Sequence, residues 1–351
     1  MKAAKVLLYL LLSATFIRPS DSLAQNNFRV GVVAPLTGTA SSSGETIKNS
    51  VLLASKHFDQ NHKVEFLFED DQLTPKETVK AVNKLIKIDQ VNALVVFGTP
   101  TSLAVNMVAE AHKTPMIALS IHDQVVRGKQ FVFKHWVSAE KENEKIISEV
   151  KKRGYKKVAV VTTINDAMLK LRDLFAQNTK NLLVAKEECN REELDFKPII
   201  MRLLQTKPDA IYLLLWSPQP GLFAKQLRLA GFKGDLFGVH NLEDPKEIAI
   251  SAGALAGAWI ATGDDQHAQK YYESYLNTYG SLPSAGGINA YDVSKILIEG
   301  AHSKELSTYL NTLTGFSGAY GTYEATGQND FNIPATIKIL DEERSYFLAF
   351  L

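Results

Sequence analysis

Three short stretches rich in hydroxyl side chains could hold a small polar molecule: Thr37-Gly38-Thr39-Ala40-Ser41-Ser42-Ser43-Gly44, Gly98-Thr99-Pro100-Thr101-Ser102 and Ser120-Ile121-His122. Each follows an apolar run that reads as a strand. The first N–H groups of a helix have no partner inside it and carry the positive end of the helix dipole. Hydroxyl-bearing turns leading into helices therefore suit a carboxylate or similar anion. Gly98 lets the backbone turn and approach closely. Thr101 and Ser102 could equally cap their own helix, because capping and anion binding use the same groups. Later in the chain the matching positions are Thr163 to Asp166, Trp216-Ser217 and His240-Asn241. Trp216 can stack on a ligand or fill a core, and His240 can serve a ligand or the structure.

No catalytic constellation accompanies these turns. G-x-S-x-G, a Walker loop, G-x-G-x-x-G after a strand and H-E-x-x-H are all missing. The eight histidines show no paired metal-ligand spacing. A non-enzymatic protein without metal or other cofactor is expected. Cys189 is the only cysteine, so an intrachain disulfide is impossible. Beside Glu187 and Glu188 its thiol is expected above its ordinary pKa and chemically incidental.

The elements that must position these turns follow from periodicity. Arg29 to Ala34, Val64 to Glu69, Ala93 to Phe97 and Met116 to Leu119 read as strands buried on both faces. Between them, Ile47, Val51, Ala54 and Phe58 fall at helical spacing, as do Val79, Val82, Leu85 and Ile86. Thr74, Pro75 and Glu77 predict a capping box at the start of the second helix. Ser41-Ser42-Ser43 is expected in the loop entering the Gly44 helix. The alternation restarts after Ser138, with strands at Lys157 to Thr162, Ala210 to Leu215 and Asp235 to Val239 among helices 140–152, 167–180, 198–205 and 221–230. The rest, strand Ala258 to Thr262, helices 267–279 and 288–302 and strand Thr336 to Leu340, holds too little strand for a third sheet. It is expected to complete the first two units.

The resulting expectation is an α/β chain of two doubly wound parallel-sheet lobes joined by a three-segment hinge. Residues 25–136 plus 262–323 would form one lobe and 137–261 plus 324–351 the other, with hinges near Lys134 to Val137, Ile260 to Gly263 and Thr322 to Ala325. Such a hinge restricts motion to opening and closing. With 351 residues, 45% hydrophobic and 22% charged, the chain is long enough for two compact units. Lys plus Arg (39) nearly cancels Asp plus Glu (38), which leaves no broad field for nucleic acid or an anionic membrane. Residues 1–24 read as a cleaved signal peptide: Lys2 and Lys5 precede the run Val6 to Leu12, and Ser22-Leu23-Ala24 offers a cleavage site. That run is far short of the roughly 20 residues that span a bilayer, so no stable membrane insertion is expected.

These residues resemble the type I periplasmic solute-binding proteins of the leucine/isoleucine/valine-binding family over nearly the whole mature chain. The resemblance rests on Ala34-Pro35-Leu36-Thr37-Gly38 with Gly44 and Leu53-Ala54, and on Asp70-Asp71 with Pro75-Lys76, Val79 and Asn83-Lys84. Gly98 with Thr101-Ser102, and Lys207-Pro208-Asp209-Ala210 with Pro218, Gly221 and Gly231, complete it. It implies a monomeric periplasmic receptor that captures a small polar ligand, an amino acid, amide or small carboxylate, and presents it to an inner-membrane ABC permease. The same fold can instead report ligand to a signalling partner. By the resemblance Thr101 or Ser102 would hold the ligand carboxylate, Ser120 and His122 would line the cleft, and Trp216 or Ser217 would close from the second lobe. His240 stands where amino-acid binders often place an acidic residue for the ligand ammonium. Ser43 replaces a bulky aromatic of some members, and Ala167-Met168 a Tyr-Gly. Asp166 or Glu243 would supply an acidic partner if one is needed.

Overall fold

A computed structural model describes residues 27–340. The signal peptide expected over residues 1–24 lies outside them, as does 341–351. The first half runs β1 (Phe28–Ala34), α1 (Ser41–Phe58), β2 (Val64–Asp70), α2 (Pro75–Lys87), β3 (Ala93–Phe97), α3 (Thr99–Ala111), β4 (Met116–Leu119) and β5 (Val132–Lys134). These strands form one parallel sheet in the order β2-β1-β3-β4-β5. The interior strands β3 and β4 are apolar throughout, and β1 is so after Arg29, because both faces are covered. Val33, Leu94 and Val96 pack on one side of the sheet, and Val30, Val32 and Val95 on the other.

The second half repeats the scheme with α4 (Ala139–Arg153), β6 (Val158–Thr163), α5 (Asp166–Asn178), β7 (Leu183–Cys189), α6 (Lys197–Gln205), β8 (Ala210–Leu214), α7 (Gln219–Leu229), β9 (Asp235–Val239), α8 (Pro245–Ser251) and β10 (Trp259–Gly263). The chain then returns to the first lobe as α9 (Gln269–Tyr279), α10 (Gly287–Gly300), α11 (Leu306–Asn311) and a hairpin of β11 (Phe316–Gly318) and β12 (Gly321–Tyr323), and α10 packs on α1. Last comes β13 (Ala335–Ile339). The second sheet has the order β13-β10-β9-β8-β6-β7, parallel except where β13 pairs antiparallel with β10.

Two local expectations differ. The hydroxyl of Thr74 donates to the carbonyl of Asp71 at 3.0 Å, so the capping box at α2 does not form. The turn is held instead by the Asp71 carboxylate, which accepts from Leu73 N and from Thr78 Oγ1, both at 2.9 Å. Helix α1 begins at Ser41, so Ser41, Ser42 and Ser43 occupy its first turn rather than a loop. Gly44 allows that turn to sit on the preceding chain, since a Cβ there would stand 2.0 Å from the carbonyl oxygen of Pro35.

The chain passes between the sheets at 135–138, 264–268 and 331–334. The second passage follows β10, whose register with β13 runs through Gly263. The third comes later than Thr322 to Ala325 because Asp330 still bridges to Lys134 at the edge of the first sheet. The buried Lys134 ammonium lies 2.7 Å from Asp123 and 3.1 Å from Asp330. At the first passage His135 Nε2 bonds the Tyr323 hydroxyl at 2.8 Å, and that hydroxyl donates to Asp292 at 3.0 Å. Burial pushes the His135 pKa down to about 3 and pushes that of Asp292 up to about 6.

Candidate ligand-binding cleft

Both sheets use one strand order. In the first, β1 and β3 are neighbours with connections leaving on opposite sides; in the second, β6 and β8 take those places. Such switch points open a crevice beyond the carboxyl ends of the strands. The turns that leave these four strands meet across one cavity of ≈ 100 Å³. The first lobe contributes Thr39, Ser42, Ser43, Phe97, Thr99, Ser120, Ile121 and, at the passage, Trp136. The second contributes Asn165, Met168, Arg191, Trp216, Ser217, His240 and Asp244. Two contacts span it: Arg191 Nη2 donates to Thr39 Oγ1 at 3.0 Å, and Ser284 Oγ donates to the Asp244 carboxylate.

The polar end is built around β3 and β4. Thr99 opens α3 and its hydroxyl lies 2.8 Å from that of Ser120, both side chains being buried against the cavity. The bend at Gly98 has φ of 95°, and a Cβ there would stand 2.8 Å from Leu73 Cδ1 and 2.9 Å from Thr101 Oγ1. An L side chain would be strained in the backbone and crowded in space. The apolar side is Phe97, Ile121 and Trp136, with Met168 and Trp216 facing them. The indole of Trp136 meets the His240 ring edge-on, with centroids 4.8 Å apart.

The expected site residues divide. Ser43, Ser120, Trp216, Ser217 and His240 line the cavity. Ser43 Oγ is 3.4 Å from Ser284 Oγ. The Ser217 hydroxyl is turned to the buried Glu247. Thr101, Ser102, His122 and Asp166 do not line it. Thr101 Oγ1 donates back to the carbonyls of Phe97 and Gly98, and Ser102 Oγ lies 3.4 Å from the carbonyl of Val96; both side chains are 0% exposed. His122 is half-buried outside it, and its Nδ1 accepts from Gln124 N at 3.2 Å. Burial, then Lys170, lowers its pKa. Asp166 is exposed on the first turn of α5, and the preceding Asn165 is both its cap, accepting from Met168 N at 3.0 Å, and the residue in the cavity wall. Glu243 is ion-paired with Lys338 at 3.1 Å in a neighbouring cavity.

Sequence reasoning named the turn that holds Thr99 but assigned the ligand to Thr101 and Ser102, and it passed over Trp136, Arg191 and Asp244. Thr99 lay in plain view beside Thr101. Arg191 is the one guanidinium or ammonium in the cavity wall among the described residues, and burial lowers its pKa. Asp244 is the one carboxylate there among the described residues, and it already accepts from Lys246 N at 2.8 Å and from Ser284. Cys189 is buried, and its thiol is pushed up to about 11 by burial first and the charge of Glu193 second. Glu187 and Glu188 are instead paired with Arg202 and Arg172. Among the described residues no group of His, Cys, Asp or Glu could hold a metal ion, and no helix is long and apolar enough to cross a membrane.

Similar proteins have this architecture. The Leu/Ile/Val-binding protein BraC3 of Rhizobium johnstonii is 25% identical over 258 residues, 69% of this chain and 69% of the relative. A leucine-binding protein LivK of Thermotoga maritima matches with a TM-score of 0.83 at 22% identity, covering 89% of this chain and 95% of that one. A solute-binding protein of an ABC transporter from R. palustris, solved in complex with benzoate, matches with a TM-score of 0.82 at 19% identity, covering 91% and 94%. The family model described as periplasmic binding protein spans residues 27–331. With two like sheets facing one cleft and nearly the whole described chain matched, this protein belongs to the periplasmic binding protein family.

Proposed function

We propose that this chain is the exported substrate receptor of an ABC transporter and that it captures a small carboxylate with an apolar or aromatic body, delivering it to an inner-membrane permease. The observation that carries this reading is the charge of the cleft wall. Arg191 and the hydroxyls of Thr99 and Ser120 can receive an anion, whereas the one lining carboxylate among the described residues, Asp244, is already engaged by Ser284 and Lys246. A ligand ammonium would be desolvated there without an unengaged carboxylate to meet it, which is costly. Phe97, Ile121, Trp136 and Trp216 supply the apolar surface for the body of the ligand. The relatives bracket the choice: one is named for branched-chain amino acids and another was solved with benzoate. The cleft charges favour the second kind. A ligand that touches both lobes stabilises the closed state, with bending at the three passages.

A matched pair of ligands tests this. Calorimetry and thermal shift with leucine, with 4-methylpentanoate, which is leucine without its amino group, and with benzoate should give binding by the two simple acids and weaker binding by leucine. Tighter binding of leucine than of its deaminated counterpart would overturn the reading.

A further inference from the structure

Behind the second-lobe wall lies a carboxylate that nothing described so far uses. Glu142, on the first turns of α4, is wholly buried, and neither of its oxygens has a hydrogen-bond partner among the described residues. His240 Nδ1 lies 3.5 Å from its Oε1. That nitrogen is also buried without a hydrogen bond, while Nε2 makes none to the protein among the described residues. The His240 ring lines the ligand cleft and the adjoining cavity. With Nδ1 turned to Glu142, Nε2 is the ring nitrogen left for these two cavities.

The other groups around Glu142 do not neutralise it. Lys134, from β5, is held by Asp123 and Asp330. Glu243, beyond β9, adds a like charge and is itself paired with Lys338. Tyr212, from β8, presents a buried hydroxyl without a partner, its pKa pushed well up by burial and then by Glu142. Burial raises the pKa of Glu142. A bare carboxylate in this setting would be costly, and the nearby imidazole offers a way to avoid it.

We propose that Glu142 and His240 form a proton-holding pair in which Glu142 is the positioning residue that keeps a hydrogen on His240 Nε2, so that carboxylate capture requires the pair to retain its proton. Two arrangements of the protonated pair are neutral overall: a carboxylic acid donating to Nδ1 of a neutral ring, or a carboxylate accepting from Nδ1–H of an imidazolium. Nε2 carries a hydrogen in both. Losing one proton leaves a carboxylate accepting from Nδ1–H, a bare Nε2 lone pair toward the cleft and one negative charge behind it. The wall thus changes from a donor that holds an anion to an acceptor that repels it. This inference rests on the carboxylate reading above. It adds a specificity device, since the lone pair would also be exposed to any neutral acceptor.

The first test needs no ligand. NMR of the whole protein, with ring ¹⁵N and carboxyl ¹³C labels, follows His240 and Glu142 as pH is raised. The expected result is an Nε2–H present at neutral pH and lost as one proton leaves, registered by the ring and the carboxyl together as a coupled pair. A bare Nε2 at neutral pH, or ring and carboxyl titrating independently, overturns the proposal. The second uses benzoate, whose carboxylate stays ionised throughout. Its affinity for the wild type should fall about tenfold per pH unit on the alkaline side of the pair's midpoint. In Glu142→Gln that alkaline fall should vanish, because no proton remains on the carboxyl to leave. An identical alkaline slope in the variant also overturns the pair. Failure of benzoate to bind at any pH counts against the ligand reading alone, and the NMR result then decides the pair.

Discussion

The two walls of the cleft are built on the same strand order and do opposite things. At the tips of β1, β3 and β4 the first lobe presents small hydroxyls on helix starts, close to the backbone. At the tips of β6 to β9 the second lobe presents long or broad side chains, Arg191, Trp216, Met168 and His240, that reach across. A hydroxyl wall is set by backbone geometry and loses little freedom on binding. A wall of long side chains must be ordered each time, at a cost in rotamer freedom. The first lobe is therefore the preorganised cradle and the second the cover that brings charge. Ser120 shows the preorganisation in detail. Its oxygen accepts from His122 N at 3.2 Å and lies 2.8 Å from Thr99 Oγ1, so when Thr99 donates, the Ser120 hydrogen is left for an occupant.

The largest effect should come from the cradle. Thr99→Ala with Ser120→Ala should weaken benzoate binding by roughly 1.5–3 kcal/mol, the contribution of one hydrogen bond to a charged group, because it removes the Ser120 donor together with the Thr99 hydroxyl that orients it. Calorimetry measures it. An unchanged affinity would mean that the anion sits against the second wall, and the comparison would reverse. Next comes the cover. Arg191 is only partly buried, so Arg191→Ala should cost about 1–2 kcal/mol after allowance for solvent screening. It should also make the remaining affinity less sensitive to salt. Arg191→Lys should restore part of the affinity, because an ammonium keeps the charge but not the planar fork. Full loss of binding on removing Arg191, larger than for the double hydroxyl variant, would show that charge rather than preorganisation dominates.

The same contrast explains what could be read in advance. Strands such as β3 and β4, buried on both faces, are continuous apolar runs, and their ends agree with expectation to the residue. Strand β7 is an edge strand that alternates between half-buried and exposed positions until the buried Cys189 and carries Lys186, Glu187 and Glu188. It has no apolar run to find, so the turn after it went unread and Arg191 with it. Periodicity located the hydroxyl turn after β3 but not the phase of the helix, and two residues of phase separate Thr99 in the wall from Thr101 behind it. Asn165 and Asp166 differ in the same way. Trp136 reads as one more apolar residue until the passage it sits on is placed between two lobes. Glu142 looks like an ordinary surface charge at a helix start, and only packing reveals that it is sealed in.

The smallest expected change in affinity sharpens the comparison most, because it separates a hydroxyl in the wall from one behind it. A helical side chain leans toward the N-terminus of its helix, which carries Thr101 Oγ1 back to the carbonyls of Phe97 and Gly98. Thr101→Val keeps the shape and removes those donors. Two buried carbonyls then lose a partner, and stability should fall by about 1–2 kcal/mol, read from urea unfolding. Benzoate affinity of the folded variant should stay within about 0.5 kcal/mol of wild type, the usual range for a change that touches no ligand. Ser102→Ala should do still less, its bond to Val96 being long at 3.4 Å. If Thr101→Val instead matched the loss seen for Thr99 and Ser120, the hydroxyl would have to turn into the cleft when ligand enters, and the cradle would be formed by binding rather than waiting for it.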